Sequence, residues 1–483
     1  MRFLSLACVA SSIFTLTVVS ASATDWSIAG TMLTPAGVLA DGTLSISGDG
    51  KIVSVGPSTS AQGTTAPVKV SGIILPGFID LHDHLTWNIQ PRWLPSRKFY
   101  NRYEWQDAAE YDRVLSNPHY AAMNTVSCEA EIYAEIKALA GGATSVLGGL
   151  VRNDAYPDNQ KCVAGLARNL DTDSGFQQPI SDSRCPTTKA ETNRMLLDVV
   201  DNEIFPLELT HDRFDYLLCA LNNNSLRGLV VHLSEGANTD AAAHREYSML
   251  SKEILLGGEK GKTPILRDGL VLIHGTALRD ADFVGMKASN VGLIWSPRSN
   301  DELYGSTTNI ASARSAGVDI AIAPDWSPSG SAGMLQEIGY ASRRYGIGSS
   351  DLLAMATSTP AKLVRISDYI GALTPGRYAD FVVINAKIDP TQPNPLDPVV
   401  KVTPADVALV IVGGQPVYGD EKLLKQLLPG SDPDKIKVCG ADKAVDLTHT
   451  AANDKGWKLD DIKLRLKKAL EPLGTSLAEI ECD

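Results

Sequence analysis

GIILPGFIDLHDH, residues 72–84, is an apolar run of strand character that ends in two histidines one residue apart. Successive side chains of a strand point to opposite faces, so His82 and His84 share one face and Asp83 takes the other. Two imidazoles on one face at a strand's end can hold one metal ion between them. Three later apolar runs end in the same way. VVHLSE (230–235) carries His232 with Glu235 three residues on, LVLIHG (270–275) carries His274, and IAIAPD (320–325) carries Asp325. The runs are continuously apolar rather than alternating, as strands buried on both faces are, and helical patterns separate them. In a parallel barrel the C-terminal strand ends form the active face. The pattern therefore predicts that His82, His84, His232, His274 and Asp325 converge there from separate strands.

On either side of this barrel pattern the sequence changes character. Residues 25–76 and 370–418 hold short β-like runs, with Asp41-Gly42 and Asp49-Gly50 as hairpin-type dipeptides. The expected layout is an α/β chain: a (β/α)8 TIM-like barrel over 77–369, interrupting a composite β-sandwich built from 24–76 and 370–418. Residues 419–483 are expected to form a C-terminal helical extension, in which WKLDDIKLRLKKALEPL reads as a packing helix. Residues 152–198 are polar and irregular, and two of the middle strands find no clear place in them.

The chain has 483 residues and a formal charge of −12, a balance that argues against nucleic acid as a partner. Residues 1–23 read as a cleavable signal peptide: Arg2, an apolar stretch from Leu4 to Val19, and the small-residue site Ala21-Ser22-Ala23. A secreted or periplasmic protein follows, with no stable membrane association after signal cleavage. Such a compartment permits disulfides. Cys162–Cys185 and Cys439–Cys482 are the expected pairs, and Cys128 and Cys219, in apolar helix-like contexts, are expected as buried free thiols.

Taken together the motifs PGFIDLHDH, GGATSV, HLSE, LIHG, SPRSN, APD, ATSTPAKLV and IGALTPGRYADFVVI resemble the amidohydrolase superfamily, and within it the cytosine deaminase and triazine hydrolase type. The resemblance implies metal ligands at His82, His84, His232 and Asp325, holding one divalent ion, Zn2+ by donor type with Fe2+ as the alternative. It places His274 beside the attacking water or the substrate oxygen. It makes Glu235 the proton shuttle, and Glu235, His274 and Asp325 the catalytic groups. Relatives with two metals use a carboxylated Lys or a Glu on a middle strand. Lys161 and Lys189 have no strand-end context, and Glu208 is the least unsuitable carboxylate, so one metal is expected. Trp326, Ser327 and Asn300 are expected against a small-molecule substrate, with Trp326 narrowing the pocket. His119, His211 and His244 are expected outside it, and the aromatic loop YNRYEW (100–105) beside it or simply packed. The implied activity is hydrolysis of a non-peptide carbon–nitrogen bond, deaminase-like or as a cyclic-amide (imidazolone-type) hydrolase or amidase. A noncatalytic barrel is the contrasting reading, and a homo-oligomer stays open.

Overall fold

The computed structural model describes residues 25–58, 66–149, 165–171, 185, 200–252, 265–448, 450 and 455–482. The expected signal peptide, Lys161, Cys162 and Lys189 lie outside them. Four strands come first: β1 (Trp26–Thr34), β2 (Gly37–Ile46), β3 (Ile52–Pro57) and β4 (Val68–Pro76). The barrel strands follow: β5 (Phe78–Asp80), β6 (Ala143–Val146), β7 (Arg168–Asn169), β8 (Val200–Glu203), β9 (Gly228–Leu233), β10 (Leu270–His274), β11 (Gly292–Trp295) and β12 (Ile320–Ile322). Last come β13 (Phe381–Ile384), β14 (Val407–Val412), β15 (Gln415–Asp420), β16 (Asp434–Val438) and β17 (Ala441–Val445).

Both flanks build one nine-stranded sheet, in the order β16-β17-β15-β14-β13-β4-β1-β2-β3. The two halves meet where β4 pairs antiparallel with β13. Where they pair, over Ile73–Pro76 and Phe381–Ile384, both strands are apolar because each buries two faces. Ile74, Phe381 and Val383 join Ile28, Leu44 and Ile411 in the sandwich core, while Ile73, Leu75, Val382 and Ile384 pack with the barrel's outer layer. The C-terminal extension is not wholly helical. Residues 434–445 form β16 and β17, and β17 extends the sheet along β15. The expected helix forms at Leu459–Leu470 and buries Leu459, Ile462, Leu466 and Leu470, a single helical face.

The barrel consists of a five-stranded parallel arc, β12-β11-β10-β9-β8, and a three-stranded one, β5-β6-β7. The Val200 amide donates to the Leu170 carbonyl (3.0 Å) and joins β8 to β7. At the other seam Asp325 N donates to His82 O (3.0 Å), and His84 N donates to Asp325 O (2.9 Å). Ile79, Val230, Val271, Ile273, Ile294 and Ala321 point inward, and Ala361, Leu363, Val364, Ile366 and Ile370 complete that core. Gly148 closes the loop after β6 against the Asp83 carbonyl. Its φ is +113°, and a Cβ there would lie 1.7 Å from that oxygen, so only glycine fits.

The middle strands that the sequence leaves unplaced are short and polar. β7 is two residues long, and the Arg168 guanidinium grips Asp380 through two bonds of 2.9 Å, tying barrel to sandwich. β8 reads VDNE, and Arg213 from helix His211–Asn222 meets Asp201 (2.6 Å) and Glu203 (3.1 Å). The disulfide expectation is corrected in part. Cys185 bonds Cys219, their Cα atoms 5.8 Å apart, rather than Cys162. Cys128, expected as a free thiol, is disulfide-bonded too. Cys439–Cys482 pairs as expected. Among the described residues no helix is long and apolar enough to cross a membrane.

Candidate active site

Three local devices aim the strand-end side chains. β5 stops at Asp80, and Leu81 and His82 form a bend, so simple alternation does not set the two histidines. They still turn the same way: His82 Nε2 lies 3.2 Å and His84 Nε2 3.5 Å from Asp325 Oδ1. Asp83 turns aside and accepts from Asn88 Nδ2 at 2.8 Å. On β9, His232 keeps the inward phase of Val230. On β10 the inward residues are Val271 and Ile273, so an extended His274 would face outward. Its φ of +64° re-aims it, and Asp325 (+74°) and Ser234 (+54°) are left-handed as well. Non-glycine residues held in this region cost free energy, and such residues cluster at functional sites.

The result is a buried donor cluster. The ligand atoms of His82, His232 and His274 lie within 4.8 Å of one another, as do those of His82, His84 and Asp325. His82 Nε2 and His232 Nε2 face each other at 3.1 Å. Burial pushes the His82 imidazole down to about 4 and lowers His84 and His232 as well. Burial alone would raise Asp325, but the surrounding imidazoles, His82 first, hold it below the usual carboxylate range. At neutral pH His82, His84 and His232 therefore present imidazole lone pairs beside the Asp325 carboxylate. Those donors match a divalent cation of borderline hardness.

An orienting layer stands behind the cluster, and sequence reasoning missed it. The SPRSN stretch supplies it: Ser296 Oγ sits 2.9 Å from His82 Nδ1, Ser299 Oγ donates to Asp325 Oδ2 (2.5 Å), and Asn300 Oδ1, expected against substrate, sits 2.9 Å from His274 Nδ1. Asn300 Nδ2 donates to Thr307 Oγ1 (3.2 Å), which keeps Oδ1 toward the ring. His274 thus carries its proton on Nδ1 and offers the Nε2 lone pair to the site. One turn on, Tyr304 OH donates to Glu235 Oε1 (2.5 Å) and receives Trp105 Nε1 (2.7 Å). Glu235 Oε2 is left 3.7 Å from His274 Nε2. The signal was a spacing: positions 296, 299, 300 and 304 recur at helical intervals from the N-cap to the last residue of helix Pro297–Tyr304.

A cavity of about 140 Å³ opens over the cluster. His84, His232, Glu235, His274 and Asp325 form its floor, and Trp87, Trp105, Gln106, Tyr111, Tyr120, Ile204, Phe205 and Trp326 its walls. Trp326 thus lines the cavity. Asn300 and Ser327 do not line the cavity. Asn300 is buried behind His274, and Ser327 is buried with its amide bonded to Asn88 Oδ1 (2.7 Å). Of the loop 100–105 only Trp105 reaches the cavity. His119 is buried against it, stacked on Trp87 with centroids 3.8 Å apart. His244 pairs with Asp282 (2.9 Å), His211 begins a helix, and Glu208 is exposed and away from the cluster. Sequence reasoning missed Trp87, Tyr111, Tyr120, Ile204 and Phe205, which lie in loops and in a helix between strands.

Residues 224–417 match the model of the amidohydrolase family. A 5-methylthioadenosine/S-adenosylhomocysteine deaminase of Symbiobacterium thermophilum is 28% identical over 211 residues, 40% of this chain and 46% of the relative. The Pyrococcus furiosus protein of the same name is 25% identical over 168 residues, 33% of this chain and 38% of that one. The matches thus span about half or less of these curated relatives' length. Among solved structures, an adenosine deaminase from Xanthomonas campestris with bound zinc superposes with a TM-score of 0.59, at 20% identity, covering 85% of this chain and 95% of that one. Escherichia coli guanine deaminase gives 0.61, at 17% identity, with 82% and 99% covered. These solved structures share the fold, a barrel with an attached sandwich. The ordered strand-end motifs, the donor cluster and the match of residues 224–417 to the amidohydrolase family's model agree with one another, and the fold is that of these amidohydrolase-type barrels.

Proposed function

We propose that this protein is an exported, metal-dependent hydrolase of a non-peptide carbon–nitrogen bond, of the deaminase type, with one zinc-like ion held by His82, His84, His232 and Asp325. The observation that carries the reading is the placement of Glu235. It is a carboxylate with one oxygen held by Tyr304 and the other free toward His274 and the cavity floor. The deaminase names of the curated relatives support the reaction type. The disulfides Cys185–Cys219 and Cys439–Cys482 support export, since such bonds persist in oxidising compartments.

A divalent ion at this cluster supplies Lewis acidity, lowering the pKa of water toward neutrality. The chain's own groups do the rest. His274 Nε2, with its lone pair open, accepts a hydrogen bond from the attacking water and fixes its direction. Glu235 Oε2 takes the proton that water loses as its oxygen bonds to the sp² carbon. The same carboxyl then gives that proton to the departing nitrogen, so the amine leaves neutral as the carbon–nitrogen bond breaks. Tyr304 keeps the carboxylate from rotating between the two transfers. The aromatic walls exclude bulk water and hold the ring that bears the leaving nitrogen.

Elemental analysis of the purified protein, paired with turnover assays on a panel of aminopyrimidines and small amides, tests the reading. It predicts ammonia or amine release that falls on chelation and returns with zinc. Metal-independent turnover, or no turnover across the panel by metal-loaded protein, would overturn it. Release from amides alone would move the assignment to an amidase.

A further inference from the structure

Glu235 stands beyond the strand that carries it. β9 ends at Leu233, and Ser234, Glu235 and Gly236 run on as a turn. A proton shuttle on such a turn has to be placed closely, because a shift of about 1 Å can cost about 100-fold in rate. Tyr304 fixes one carboxylate oxygen, but not the backbone from which the side chain starts. A single hydroxyl spans that backbone. Thr276 Oγ1 accepts from the Gly236 amide (2.8 Å) and donates to the Ser234 carbonyl (2.8 Å). These are the two peptide groups on either side of Glu235. A hydroxyl is donor and acceptor at once, so both bonds are made together. Thr276 is 1% exposed, and water does not compete for either bond.

Thr276 lies two residues past His274, on the turn that re-aims that ring. The Gly275 amide donates to the Leu233 carbonyl (3.1 Å) and the Ala277 amide to the Ser234 carbonyl (3.1 Å). The turn with the water-fixing ring is thus laced to the turn with the proton shuttle, and Thr276 is the side chain between them. Glu246, on helix Ala241–Ser251, holds the opposite edge. Its Oε2 accepts from the Ser234 amide (2.7 Å) and its Oε1 from Tyr103 OH (2.7 Å), with Arg102 3.4 Å away as counter-charge. The Arg102 amide donates to the Glu235 carbonyl (3.2 Å). Ser234 is left-handed at φ +54°, a costly conformation that persists only where surrounding bonds over-determine it, as they do here.

We infer that Thr276 is a positioning residue for the proton transfer, its hydroxyl setting where the Glu235 carboxylate stands relative to His274. This rests on the hydrolase reading and adds a residue outside the cavity lining to it. Turnover of the metal-loaded full chain tests it, with rates taken per folded chain. Thr276→Val keeps the shape and removes the hydroxyl, and Thr276→Ser keeps the hydroxyl. In Thr276→Val kcat should fall about 10- to 100-fold, with KM and metal content near those of the parent, and Thr276→Ser should recover most of the loss. Hydrogen exchange over residues 233–237 should quicken in Thr276→Val and not in Thr276→Ser, since the Gly236 amide loses its acceptor. The pairing with Glu235→Gln separates positioning from general support of the fold. A residue that acts through Glu235 has little left to lose there, so Thr276→Val should add less than about twofold to the Glu235→Gln loss. A full additional loss in that background, an unchanged kcat in Thr276→Val, or a drop that Thr276→Ser does not recover would overturn the inference while the wild type stays active. A metal-loaded wild type without turnover would remove the hydrolase reading, and the inference with it.

Discussion

The two sides of the barrel solve the problem of burial differently. β9, β10 and β12 have apolar bodies, and each places its one polar group, His232, His274 or Asp325, at or just past its C-terminal end. β7 and β8 carry charge along their length, Arg168 on Asp380 and Asp201 and Glu203 on Arg213, and no member of the donor cluster stands at their ends. On the first side the chain spends polar residues on chemistry. On the second it uses them to hold strands and domains in register. An ion pair that is buried and satisfied adds little net stability, but losing one partner leaves a charge without compensation. Substitutions on the two sides should therefore fail in different ways: activity on one, folding on the other.

Four substitutions break or sharpen that contrast. Glu235→Gln keeps the Tyr304 bond but removes the titrating proton. Turnover should fall by about 10²–10⁴-fold, with melting temperature and metal content near those of the parent. A parallel loss of stability would show Glu235 to be a buttress instead. Arg213→Met is the converse, removing from Asp201 and Glu203 the buried guanidinium they share. Denaturant unfolding should show about 3–5 kcal/mol of destabilisation, while the fraction that remains folded keeps its turnover. Asn300→Ala frees His274 to rotate or change tautomer, and activity or metal affinity should drop by about 10–100-fold with a small change in stability. The smallest effect concerns His119. Burial first, and then His84, holds its pKa at about 3. Between its ordinary value of about 6.5 and about 3 the unfolded chain binds a proton that the folded chain refuses, so acidification removes stability. Unfolding of the wild type and of His119→Phe, compared from pH 7 to pH 4, should shift steadily in favour of the variant. A pH-independent difference would contradict the neutral, buried assignment.

The legible part of the molecule was the side whose bodies are apolar. Continuous runs ending in His232, His274 and Asp325 state both strand and site, and Asp49-Gly50 marks the turn between β2 and β3, whereas Asp41-Gly42, expected at a hairpin turn, lies within β2. β7 and β8 were illegible because a buried strand reading VDNE, or two residues of Arg-Asn, cannot be told from a loop without its partners Arg213 and Asp380. The histidine pair of β5 was found by strand alternation, yet the structure aims it through a bend at Leu81 and His82. His274 would have been placed outward by the same rule, since its backbone turn has no local signature. Of the orienting layer, Ser296, Ser299 and Asn300 stand in the SPRSN motif without any sign of what they hold, and Tyr304 lies beyond it. Hydrogen-bond partners across the barrel do not follow from spacing alone. The cavity walls come from segments far apart in the chain, and only the fold joins Trp87, Tyr111 and Phe205 into one surface.

The central claim is that the strand-end cluster is a metal centre. Elemental analysis of wild-type protein beside Asp325→Asn, purified together and checked for equal folding, tests it most directly. About one tightly bound divalent ion per wild-type chain, and a large loss of it in the variant, is the predicted result. No ion in the active wild type, or the same content in both proteins, would contradict the account.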